Sequence, residues 1–203
     1  MKNLKYIGLS LAIALMLGFS GCSHKISLTP PLNELREVKT ENKVDANVAY
    51  YLSNESKNIE IITPGGGGDK VKYTPYKDIE SALNTMLSRK FSRVYHLESM
   101  DDKTMIENKN IQYVFTTTIY TNSSSSNFII WPPTDFTMQL TCEAIDTNGK
   151  KVWNDTVLTN GYASSGELID NFSLSAQRAT QEAFSKMLQK LEKTNKFDIN
   201  KGI

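Results

Sequence analysis

The chain has 203 residues, 39% of them hydrophobic and 22% charged, which suits one domain with a sizeable core and would cramp two. Lys and Arg number 23 against 22 Asp and Glu, so the basic stripe with which nucleic-acid binders displace counterions is not expected, and a nucleic-acid partner is argued against. Two histidines and two cysteines are too few for an ordinary metal centre or a disulfide framework.

The first stretch, MKNLKYIGLSLAIALMLGFSGC, opens with Lys2 and Lys5 and continues as a mostly apolar run over residues 6–19. That run falls short of the roughly 20 residues a bilayer-spanning helix needs, so residues 1–21 read as an export signal peptide and not as an anchor. Its end, F-S-G-C, resembles the bacterial lipobox, with Phe19 where Leu or Val is usual. The resemblance implies cleavage before Cys22, which would carry diacylglycerol on sulfur and an acyl chain on nitrogen. Lys2 and Lys5 leave with the signal, so the remainder is nearly neutral. Lipid on Cys22 would also leave Cys142 a lone thiol.

Residues 22–43 are polar, contain Pro30 and Pro31 and hold no sustained period, so they read as a lipidated N-terminus and flexible tether. Such a tether reaches at most some 70 Å when extended. Residues 44–52 alternate apolar and polar as a half-buried strand, and residues 58–63 read as a second. Gly65 to Gly68 follow without G-K-S/T or G-x-G-x-x-G spacing, so they read as a flexible loop and not as a phosphate cradle. Thr74-Pro75 opens a helix whose buried stripe is Ile79, Leu83, Met86 and Leu87. Residues 94–97 are a short strand holding His96, and residues 100–108 form one or two helical turns. Residues 111–121, rich in β-branched and aromatic side chains, are the strongest strand signal in the chain.

After the polar run NSSSSN comes FIIWPP, too apolar for a solvated loop and too rich in proline for a paired inner strand. Phe128, Ile129, Ile130 and Trp131 are therefore a candidate partner contact, the alternative being the end of a core strand with Trp131 over a sheet edge. Residues 135–146 alternate cleanly, with Phe136, Met138, Leu140, Cys142 and Ala144 on one face. Asp146 to Gly149 turn the chain into a returning strand, Gly149 supplying positive φ. Residues 161–171 read as a loop. A long C-terminal helix follows, with its stripe from Ala176 to Leu191, and residues 194–203 read as a polar tail.

These elements predict one α+β domain over residues 44–193, a two-layer arrangement of a mainly antiparallel sheet with two amphipathic helices on one face. No G-x-S-x-G, H-E-x-x-H or C-x-x-C occurs, and a histidine triad would have to use His96. Asp101 and Asp102 suit capping better than acid catalysis. The expectation is therefore a non-enzyme without cofactor or metal, the alternative being a small periplasmic hydrolase.

The element order resembles that of small bacterial envelope lipoproteins. The likeness rests on residues 19–22, on residues 135–153 with the turn D-T-N-G-K-K-V-W, and on residues 176–191. The YajG-type lipoproteins and the auxiliary lipoproteins of ABC-type lipid transport systems are the nearest, and the lipopolysaccharide-assembly lipoproteins are more distant. The resemblance implies a protein anchored through Cys22 to the outer membrane, facing the periplasm and binding a protein partner of the envelope. Ser23 stands where aspartate retains enterobacterial lipoproteins in the inner membrane, which implies outer-membrane sorting. A purely structural or surface-exposed lipoprotein is the remaining alternative.

Overall fold

A computed structural model describes residues 22–40, 43–126 and 129–197, so residues 1–21, expected as an export signal, and Phe128 lie outside the described residues. The fold is built on the strand with the cleanest alternation, β7 (Asp135–Asp146). Phe136, Met138, Leu140, Cys142 and Ala144 are all fully buried on its inner face, while the residues between them look outward. It pairs antiparallel with β6 (Ile111–Ser124) on one side and β8 (Lys151–Tyr162) on the other. The turn between β7 and β8 is closed by the Asp146 carboxylate, which accepts from the N–H groups of Asn148 and Lys150 at 2.9 Å each, with Gly149 at φ 77°.

Helix α3 (Pro75–Lys90) and helix α6 (Leu174–Lys193) pack on the inner face. Their stripes fall where helical spacing puts them: Ile79, Leu83, Met86 and Leu87 on one, Ala176, Ala179, Ala183, Phe184, Met187 and Leu191 on the other. Each large apolar side chain withdrawn from water contributes roughly 1.5–3 kcal/mol before the cost of ordering the chain. Numbered in chain order with these, the remaining helices are the short α1 (Asn33–Glu37), α2 (Asn54–Lys57), α4 (Lys103–Asn108) and α5 (Ser165–Asp170). Asp102 caps α4 by accepting from the Met105 N–H at 2.9 Å, the capping role its sequence position suggested.

The class is α+β, but the sheets are mixed where the sequence suggested mainly antiparallel pairing. The large sheet runs β5-β2-β6-β7-β8, and β2 (Val44–Tyr51) is parallel to both β5 (Phe91–Leu97) and β6. Alternation along β2 is the same in either direction. Direction is set by the connections, and those reaching β5 and β6 carry helices, as parallel neighbours require. Beyond β2, a small second core of Ala49, Leu97, Ile111 and Val114 lies against Met105 and Ile106 of α4.

A second sheet lies beside the first. Its order is β1-β4-β3, from β1 (Ser23–Lys25), β4 (Lys70–Tyr73) and β3 (Ile61–Pro64). The segment expected as a tether thus enters the fold: β1 lies parallel to β4, and Ile26, Leu28 and Leu35 are buried in the main core. Apolar residues scattered without period still bury when another element offers a groove. The stretch between the glycines and Thr74, to which the sequence assigned no element, contains β4. The polar tail also starts differently, since Phe197 is fully buried among Phe91, Phe115 and Trp153.

Candidate functional site

Four separate stretches meet at the corner where the described chain begins: residues 22–28, the glycine turn at 65–69, residues 129–133 and residues 171–175. The glycine turn joins β3 to β4, with Gly67 and Gly68 at φ 64° and 87°. Its first residue must be small. A Cβ on Gly65 would lie 2.5 Å from the Trp131 carbonyl oxygen, which accepts from the Gly66 N–H at 2.8 Å. The loop expected to be flexible is thus a seat for the backbone of the apolar run.

Asp69 ends that turn and holds the start of the chain. Its Oδ1 accepts from the Cys22 N–H at 2.9 Å, its Oδ2 lies 3.1 Å from His24 Nε2, and Lys70 N–H donates to the Cys22 carbonyl at 3.0 Å. Farther along, Ile26 N–H donates to the Lys72 carbonyl, Ser27 N–H to Ser173 Oγ at 3.0 Å and Leu28 N–H to Asp78 Oδ2 at 2.8 Å. Burial raises the Asp78 carboxyl above its ordinary value, partly offset by that Leu28 N–H. Little slack remains between Cys22 and the body.

Trp131 is half-buried in this corner. One face of its indole stacks on His24, with ring centroids 4.2 Å apart at 15°, and Phe172 packs beside it at 4.9 Å. Pro132 and Pro133 are buried, and Ser175 Oγ donates to the Pro133 carbonyl at 2.7 Å. Of the four predicted contact residues, Trp131 packs against the main core, Ile130 is half-buried, and Ile129 is 91% exposed. Phe172 is 49% exposed there, and Ile169 of α5, three residues earlier in the chain, is 73% exposed. Sequence reasoning missed His24, Asp69 and Phe172, whose meeting depends on pairings tens of residues apart. The only local hint was a lone carboxylate directly after the glycines.

Elsewhere, His96 Nε2 lies 3.0 Å from the Leu52 carbonyl and its ring stacks on Tyr50. Cys142 is fully buried, and burial pushes its thiol far above the ordinary value. Among the described residues no group of three or more His, Cys, Asp and Glu is placed to hold a metal, and no helix is long and apolar enough to cross a membrane. The outer face of β6, β7 and β8 carries a row across the sheet of Tyr120, Gln139 and Leu158, with Tyr120 and Leu158 well exposed.

No family model matches the chain, and no curated protein matches it. Solved structures similar to it include the PelC dodecamer from Paraburkholderia phytofirmans, at 18% identity, covering 76% of this chain and 92% of that one, with a TM-score of 0.48. A Xanthomonas campestris protein of the DUF330 family model is similar at 12% identity, 82% and 91% coverage and a TM-score of 0.45. A candidate lipoprotein from Caulobacter crescentus is similar at 13% identity, 73% and 88% coverage and a TM-score of 0.36. With each of these scores below 0.5, the functional reading rests on this chain's own residues.

Proposed function

We propose that the protein is a lipid-anchored component of the bacterial cell envelope that works by binding and not by catalysis. The observation that carries this reading is the position of Cys22. It closes the F-S-G-C motif and stands exposed at the root of β1, where its sulfur is open to a diacylglyceryl thioether. Acylation of its nitrogen leaves one N–H in place, so the bond to Asp69 survives maturation. Ser23 in second place supports outer-membrane sorting, with the body facing the periplasm.

Binding is supported by the open face of β6, β7 and β8. Tyr120 stands out among threonines there, as aromatic anchors do at contact surfaces, and Leu158 is exposed on the same face. His96 is already committed to Leu52 and Tyr50, and His24 stacks on Trp131 while facing Asp69, so both histidines serve as fold contacts. Mass spectrometry of the membrane form is expected to show residues 1–21 missing and Cys22 acylated. A photo-crosslinking side chain at position 120, in the acylated protein within its own envelope, is expected to give a discrete protein adduct. An unacylated Cys22 overturns the anchor, and no adduct at position 120 or 158 turns the reading to a structural lipoprotein.

A further inference from the structure

We propose that the corner around Cys22 is a bilayer-contacting surface, with Ile129, Trp131, Ile169 and Phe172 seated at the boundary between headgroups and acyl chains. The inference rests on the reading of Cys22 as the acylated residue and adds where the body sits relative to the lipid.

The physical reason is the missing slack. In a lipoprotein with a free tether of about 20 residues the body stands away from the membrane, up to some 70 Å. Here the anchoring residue is itself bonded to the fold, through Asp69 on its nitrogen and Lys70 on its carbonyl. Acyl chains on Cys22 enter the hydrocarbon directly beside it, so the glycerol lies level with β1. Whatever surrounds Cys22 is then brought into the interfacial layer, where apolar faces bury about 5–10 Å deep.

Near it lie apolar side chains that are exposed or half-buried. His24, two residues from the anchor, stacks on Trp131, and Trp131 packs on Phe172. Ile129 stands almost fully in solvent two residues before the indole, and Ile169, exposed on α5, lies three residues before Phe172 in the chain. In water such a group is an unsatisfied surface. Tryptophan with a polar edge and an apolar body is the side chain enriched at membrane interfaces. Lys25 and Lys70, exposed on the adjoining strands, add cations beside the anchor, which suits a leaflet with some anionic lipid. The occupant is therefore the leaflet that holds the acyl chains, and not a protein partner as the sequence suggested for residues 128–131.

The test uses the acylated protein in vesicles of phosphatidylethanolamine with a minor fraction of phosphatidylglycerol. Cys22 is blocked by its thioether and Cys142 is buried, so Ile129→Cys, Ile169→Cys and Tyr120→Cys each take a single environment-sensitive fluorophore. Brominated acyl chains are expected to quench the labels at 129 and 169 at least roughly twofold more than the label at 120, with a blue shift at 129. Membrane-bound, acylated protein whose label at 129 stays as wet as that at 120 overturns the docking and leaves the anchor standing. Shielding at 129 from soluble iodide that appears only with envelope proteins, without lipid quenching, assigns the surface to a protein and overturns it too. An unacylated Cys22, seen by mass spectrometry, removes the anchor and the docking together.

Discussion

The core beneath α3 and α6 is buried and the corner at Cys22 is partly exposed, and the two are held by different physics. In the core, flat stripes of Leu, Met, Phe and Ala meet over an alternating sheet, and water is excluded by area alone. In the corner, pieces from four parts of the chain meet by backbone bonds and stacked rings, and each contact depends on its neighbour being in place. The first kind of region loses stability smoothly with volume removed. The second opens locally while the rest stays folded.

Leu140→Ala should have the largest effect, since Leu140 is fully buried in the middle of β7: a loss of about 3 kcal/mol in urea unfolding, with the denaturant slope unchanged. A loss under about 1 kcal/mol would mean the core repacks freely there. Trp131→Ala should cost about 1–2 kcal/mol, because the indole loses His24 and Phe172 on either side. Its effect should add to that of Leu140→Ala, and strong non-additivity would show that core and corner are one cooperative unit.

Asp69→Ala should cost about 1 kcal/mol, and amide exchange should show it first in β1. If β1 stays protected as long as β7, Asp69 is not the latch. The smallest effect concerns α5. Glu167 accepts from Arg178 and from the Ser164 N–H and hydroxyl, which lowers its carboxyl from 4.5 to about 2. A depressed carboxyl stabilises the fold above its ordinary value and loses that contribution as pH falls toward the folded one. Exchange in α5 should therefore rise between pH 4.5 and about 2 ahead of the core. Glu167→Gln should remove that dependence.

The same division decides what could be read from sequence. β7, its return through Gly149 and the stripe of α6 are local patterns, and each appears where its period placed it. The helix at Thr74-Pro75 was legible from its start signal. Strand direction was not, because β2 alternates alike beside a parallel or an antiparallel neighbour. Of the corner, Cys22, the glycines and Trp131 were visible as isolated oddities. Their meeting was not, since Ser23 pairs with Lys70 and Ser27 bonds Ser173, and no local period records so distant a partner. Phe197 escaped notice as one apolar residue in a polar stretch.

The mixed pairing of β2 also sets a timetable. β6, β7 and β8 are consecutive in the chain and pair in that order, so residues 111–162 can assemble from neighbours in the chain. β2 cannot join until the chain has closed from residue 47 to residue 111, and β1 must wait for residue 70. The strands made first therefore wait for partners made later. The corner at Cys22 waits longest, because Ser27 is held by Ser173, and it closes only after β6, β7 and β8 are complete.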